Sequence, residues 1–140
     1  MPFRFLPEVA LADVAFESSS PTLGGLFEES AKALTDVMVD PRSLHLRVRR
    51  SIEITSQDID RLLYDFLTEL IVIKDVDSLL WKRFDVRVDQ KKCSLKCTMT
   101  GEAIDRSRHR LRNDAKAVTM HLFGVRRFRR GWVATVVLDI

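Results

Sequence analysis

The feature that most constrains this chain is its last strand. Trp132-Val133-Ala134-Thr135-Val136-Val137-Leu138 is an apolar run that leads directly into Asp139-Ile140. A run this rich in β-branched residues reads as a strand buried in a sheet. Chain ends fray unless something ties them down, and here the strand is expected to stay in a sheet up to its final residue. With the sequence closing at Ile140, the Asp139 side chain and the Ile140 carboxylate are then held side by side at a fixed sheet end. Two adjacent carboxylates need a cation, a basic group or open water. The plain alternative is a solvated strand end.

A chain of 140 residues is expected to form one domain, spanning 1–140, and to bury roughly two-thirds of the surface its unfolded form exposes. Its hydrophobic and charged fractions, 46% and 31%, are those of a globular protein rather than a disordered one. No secretory leader is read in the first residues, and Leu70 to Ile73, the most continuously apolar stretch, is far too short to span a bilayer. Cys93 and Cys97 are read in one strand, with Cα atoms roughly 13 Å apart at about 3.3 Å per residue. That is too far for a disulfide, so both are expected on one face as small hydrophobes. Free thiols point to a cytoplasmic protein.

The net charge of +3 conceals an asymmetry. Residues 104–130 carry nine Lys or Arg against Asp105 and Asp114, a net of +7, which leaves −4 for the rest. Charge gathered in this way points to an anionic partner, RNA or an acidic protein surface.

Phe3 to Leu6 and Ala12 to Glu17 read as strands, with Asp13, Ala15 and Glu17 on one face of the second. Ser20-Pro21 reads as a helix start. Leu23, Leu26, Phe27, Ala31, Leu34, Val37 and Met38 then recur at helical spacing until Asp40-Pro41. Leu44, Leu46 and Val48 alternate with His45, Arg47 and Arg49, which predicts a strand running on through Ile52 and Ile54. Thr55-Ser56-Gln57-Asp58 reads as a capping box for the strongest helix, striped by Ile59, Leu62, Leu63, Phe66, Leu67, Leu70 and Ile71. Leu80 to Val88, Ser94 to Glu102, Ala115 to Val125 and Gly131 to Ile140 read as strands. The order β-β-α-β-α-β-β-β-β predicts an α+β layered sandwich, two main helices on largely antiparallel sheet.

Several segments together resemble the archease family. They are Leu62 to Asp75, Trp81-Lys82-Arg83-Phe84-Asp85-Val86, Gly101-Glu102, Lys116-Ala117-Val118-Thr119-Met120-His121, Leu138-Asp139-Ile140 and, near the front, Leu26-Phe27-Glu28 with Ala33-Leu34. The resemblance covers nearly the whole chain in order. It implies a small, metal-binding, non-enzymatic protein that assists an RtcB-type RNA ligase in tRNA splicing. In that role it promotes the ligase's GTP-dependent guanylylation and multiple turnover, and meets tRNA indirectly through the ligase. It also implies metal ligands at Asp13, Asp139 and the Ile140 carboxylate, in agreement with the reading of the last strand. One departure stands out: the family's His-Thr before Ala-Asp is Ala10-Leu11 here.

Such an all-oxygen set suits a hard divalent cation. Ca²⁺ is the first expectation, with Mg²⁺ or Mn²⁺ as alternatives. His121 reads as a buried, hydrogen-bonded strand histidine, and a ligase contact is the other reading. Lys116 reads as a structural counter-ion or as a ligase contact. Arg126-Arg127-Phe128-Arg129-Arg130 reads as a hairpin tip, where arginine could grip phosphate and Phe128 could stack on a base. A basic RNA-binding module acting through residues 104–130 is therefore the second functional reading. A metal-dependent phosphohydrolase is a third, with only the carboxylates behind it. No Gly-rich phosphate loop, His-Glu-x-x-His, Cys-x-x-Cys or Gly-x-Ser-x-Gly occurs.

Overall fold

Apolar periodicity decides which segments coil and which extend. The computed structural model of the protein describes residues 2–6 and 13–140, so Ala10, Leu11 and Ala12 lie outside the described residues. The elements are β1 (Phe3–Phe5), β2 (Asp13–Ser20), α1 (Leu23–Met38), β3 (Val48–Thr55), α2 (Ile59–Asp77), β4 (Leu79–Asp89), β5 (Ser94–Ala103), β6 (Ala117–Phe128) and β7 (Gly131–Asp139). Their order is the one expected. The strands form two sheets, β1-β2-β7-β6 and β3-β5-β4, and every pairing is antiparallel.

Each helix packs on strands of both sheets. The helices meet through Phe27 and Phe66, whose rings stack 5.9 Å apart inside a core that includes Leu26, Leu34, Leu63 and Leu67. The helices also close sheet edges, which would otherwise present unpaired backbone groups. From α1, Glu28 accepts the Val86 backbone N–H at 2.8 Å and Thr35 donates to the Trp81 carbonyl at 2.8 Å. These bonds cover the free edge of β4. From α2, Asp60 accepts the Val125 N–H at 3.3 Å and Tyr64 packs edge-on against Phe123, which covers β6. At the β4 bulge between Trp81 and Arg83, a Cβ on Gly101 would overlap the Leu80 carbonyl. The Gly-Glu pair of β5 is therefore fixed by backbone proximity at its first member.

Both helices start later than the sequence suggests. The N-cap of α1 is Thr22, whose hydroxyl accepts the Gly25 N–H at 3.0 Å. The N-cap of α2 is Asp58, which accepts the Arg61 N–H at 2.7 Å, while Thr55 still belongs to β3. In each case several residues able to cap stand in a row, and the one nearest the apolar stripe is used. The third strand also starts late. Asp40 caps a 3-10 turn at Pro41–Ser43, so Leu44 is buried as that turn closes and Leu46 is left exposed. Cys93 is not a strand residue: it sits at φ 48° in the turn before β5. It therefore does not share a face with buried Cys97 as an alternating pair would. Both thiols are free.

Asp58→Ala is expected to cost about 1 kcal/mol of stability by loss of the cap, and Thr55→Ala under about 0.5 kcal/mol. Urea unfolding of the two variants checks this assignment, and the reverse ranking would contradict it.

Candidate metal centre

The two ends of β2 and β7 that meet decide the site. In the β2–β7 ladder, Asp13 lies directly opposite Asp139. On the other flank of β7, Ala117 of β6 lies opposite the same Asp139. Residues directly opposite in an antiparallel pair project on one face, with Cβ atoms roughly 4.5–5.5 Å apart. The two carboxylates therefore share a face at one end of the central strand, with the small Ala117 flanking Asp139 on its other side. Core residues Phe16, Val136 and Leu138 fix this register, since a slip of one residue would turn them all outward.

Asp13 is half-buried, Asp139 exposed, and Ile140 half-buried with its side chain packed against the core. The Lys116 backbone N–H donates to the Asp139 carbonyl at 2.8 Å, which extends the pairing past Ala117. Among the described residues neither Asp13 nor Asp139 has a salt-bridge partner. Lys116 is exposed and likewise makes no ion pair among them. Asp13 also borders a cavity of about 370 Å³ shared with Phe5, Val14, Asp36 and Arg112. There Arg112 neutralises Asp36 at 3.2 Å.

Like charges directly opposite in a sheet destabilise it, and a bound cation removes that repulsion. The donor set fits a hard divalent ion, because the oxygens of Asp13 and Asp139 are all carboxylate. Among the described residues no group of three His, Cys, Asp or Glu side chains comes together. Ile140 follows Asp139 directly, so its main-chain oxygens lie next to the pair.

Two buried charges missed in the sequence brace this end of the molecule. Lys74, near the end of α2, bonds Asp114 and Asp75 and donates to the Ala115 carbonyl at 2.7 Å. It thereby holds the segment that delivers Lys116 and β6. Glu102 is buried in β5. Its carboxylate accepts the His45 N–H at 2.8 Å, His109 Nε2 at 2.6 Å and Arg108 at 2.7 Å. His109 Nδ1 in turn accepts the Asp105 backbone N–H at 2.9 Å, so the imidazole is the Nε2–H tautomer and both nitrogens are used. This is the buried histidine of the chain. His121 lies on β6 as expected but is exposed, a correction to its reading as a buried histidine. The β6–β7 register shifts between Thr119 and Gly124, and Leu122 takes φ 56°. Alternation along β6 is therefore broken at that point.

The arginines of 104–130 fall into two groups. Arg108 and Arg112 are bound to Glu102 and Asp36 near the Asp139 end. The hairpin group lies at the other end of β7, a nine-residue strand spanning roughly 26 Å at about 3.3 Å per residue. There Arg126 approaches Glu17 at 3.8 Å and Arg127 lies 4.7 Å over the Trp132 ring. Arg129 and Arg130 form the turn, exposed and without an ion pair among the described residues.

Together these features define an α+β protein of two antiparallel sheets bridged by two helices, with opposed aspartates at the end of its central strand. The chain belongs to the archease family: residues 3–140 match the Archease protein family. It is 36% identical over 132 residues to protein archease of Pyrococcus furiosus, covering 92% of this chain and 93% of that one. It is 37% identical over 131 residues to that of Methanothermobacter thermautotrophicus, at the same coverage. The solution structure of protein 1598 from Methanobacterium thermoautotrophicum is similar with a TM-score of 0.87, 35% identity and 99% coverage of both chains. The crystal structure of an archease from Thermotoga maritima, described as a possible chaperone, is similar with a TM-score of 0.65 over 96% of both chains. At 19% identity that second likeness is one of fold. No helix among the described residues is long and apolar enough to cross a membrane.

Burial alone would raise the Glu102 pKa, but the bonds from Arg108, His109 and the His45 N–H outweigh it and hold the group at about 2 rather than 4.5. A lowered pKa in the folded state contributes stability that is present above the ordinary value and lost as pH falls through the folded one. Glu102→Gln is therefore expected to flatten the fall in stability between about pH 4.5 and 2, read as urea midpoints. An unchanged slope would contradict the assignment.

Proposed function

We propose that this archease is a non-catalytic, cytoplasmic activator of an RtcB-type RNA ligase in tRNA splicing, and that it works through a divalent cation held by Asp13, Asp139 and the Ile140 carboxylate. The observation that carries the reading is the Asp13–Asp139 register across β2 and β7. Two carboxylates opposed on one face, with no basic side chain paired to either among the described residues, have the chemistry of a cation site rather than of a structural ion pair. Ca²⁺ suits the oxygen donors, and Mg²⁺ and Mn²⁺ suit them as well.

When bound, such an ion supplies positive charge at an exposed sheet end. The chain's own residues do the rest. The β2–β7 ladder fixes the spacing of the carboxylates, the Ile140 side chain packs into the core and anchors the last residue, and the Lys116 N–H to Asp139 bond steadies the strand end. Three protein carboxylates leave coordination positions for water or for a group of the ligase. Lys116, just before β6, and His121, on β6, are both exposed and are the contacts we assign to that partner. In this role the protein acts on the ligase.

The test is ligase guanylylation with GTP and manganese. Wild type is expected to raise the rate and the number of turnovers. Asp13→Ala and a variant lacking Asp139-Ile140, each shown to be folded, are expected to lose that stimulation by about tenfold or more, as losses at metal sites do. A folded wild type that gives its cognate ligase no stimulation would overturn the reading.

A further inference from the structure

The β6–β7 hairpin ends in a pair that leaves an aromatic ring uncovered. Phe128 is the last residue of β6 and its cross-strand partner is Gly131. A glycine offers no side chain to pack on the ring, and Phe128 is 54% exposed. The glycine is required at that point: a Cβ on it would stand 2.7 Å from the Ser20 carbonyl. The hairpin tip is thus pressed against the corner where β2 turns into α1. Between tip and corner lies an open cavity of about 600 Å³, bordered by Ser20, Pro21, Glu29, Phe128, Arg130 and Trp132. That volume falls within the roughly 300–1,000 Å³ of sites for small organic ligands.

Charge and planarity are arranged around this cavity in a particular way. The Arg129 guanidinium lies 5.3 Å from the Phe128 ring centroid and Arg127 covers the Trp132 ring. Arg129, at φ 57°, turns the chain at the tip. Arg129 and Arg130 remain without an acidic partner among the described residues. The wall also holds a carboxylate, Glu29, which pairs with Lys32 at 3.0 Å. A ligand that fits is flat where it meets Phe128 and carries negative charge toward Arg129 and Arg130.

We propose that the hairpin tip is a binding site for an unpaired nucleotide of a single-stranded nucleic acid, its base against Phe128 and its phosphate at Arg129 and Arg130. A nucleotide keeps its negative charge on the phosphate, a sugar's length from a base edge that carries N–H groups. An acidic peptide could satisfy the arginines but brings no flat ring to stack on Phe128. Stacking on one aromatic ring tolerates any base, and guanidinium groups grip phosphate bidentately. The site is independent of the carboxylate pair: it lies at the opposite end of β7 and needs neither metal nor ligase.

The experiment is fluorescence anisotropy of a labelled oligocytidylate RNA with the protein alone, across a salt series. Wild type is expected to bind. Phe128→Ala is expected to weaken binding about tenfold, within the ~5- to 150-fold that removal of one stacked base produces, while Phe128→Tyr keeps it. The double variant Arg129→Ala/Arg130→Ala is expected to reduce the slope of log K against log salt by about 0.7, the share of the one single-strand phosphate that is no longer neutralised. Arg106→Ala/Arg110→Ala, at the other end of the molecule, should bind like wild type. Circular dichroism shows that each variant is folded. Absence of binding by wild type overturns the proposal. So does Phe128→Ala binding as wild type does, an equal weakening in Arg106→Ala/Arg110→Ala, or displacement of the RNA by hexaglutamate as readily as by unlabelled oligonucleotide. Because no ligase or metal is present, each of these results leaves the reading of the carboxylate site standing.

Discussion

Strand β7 is the constraint on which the rest depends. It is paired on both edges, to β2 and β6, and Ala134, Val136, Val137 and Leu138 are all buried. A strand buried on both faces cannot shift register without exposing one apolar set or the other. Its fixed register sets where β2 and β6 begin and so brings Asp13, Asp139 and Ala117 into line. The carboxylate pair is a consequence of core packing as much as of local chemistry. The same strand carries Gly131 and Trp132 at its other end, so one rigid element positions both the opposed aspartates and the basic hairpin.

The helices bind the two sheets into one body through their polar groups as well as their apolar stripes. Glu28 and Thr35 of α1 complete the edge of β4, and Asp60 of α2 completes the edge of β6. An unpaired backbone group buried under a helix costs on the order of 1–3 kcal/mol, so these side chains are part of the fold's specification. Lys74 extends the same logic to the loop before β6, where it gathers Asp114 and the Ala115 carbonyl. The family's Leu-Phe-Glu and Lys-Asp segments are thereby given a structural meaning.

Much of this was legible in the sequence because period and composition agree over long segments. The stripe from Ile59 to Ile71 and the apolar run of β7 specified their elements plainly, and the order of all nine elements follows from such signals. Boundaries were less legible where several residues compete for one role. Thr55 and Asp58 can both cap, and so can Ser20 and Thr22. Pro41 allowed a 3-10 turn in place of the extended chain suggested by alternating Leu44 and Leu46. His121 was misread as buried because a bulge breaks the period of two, and a bulge leaves little trace in composition. The Glu102–His109–Arg108 cluster was missed for another reason. Its members lie in a polar, aperiodic stretch, and the partner backbone at His45 is 57 residues away. The opposed aspartates were half legible: Asp139 from the strand itself, Asp13 only through family resemblance, and their direct register only from the structure.

The central claim is that the end of the β2–β7 ladder holds a divalent cation. Titration of the ¹⁵N-labelled protein with Mn²⁺, followed by amide signal intensity in NMR spectra, tests it most directly, since paramagnetic broadening reports proximity without any partner. The account predicts broadening centred on Asp13, Lys116, Ala117, Asp139 and Ile140, reversed by excess Ca²⁺ or Mg²⁺ and absent in Asp13→Asn. Uniform weak broadening, or broadening centred on another part of the surface such as Glu53 or Asp85, would contradict it.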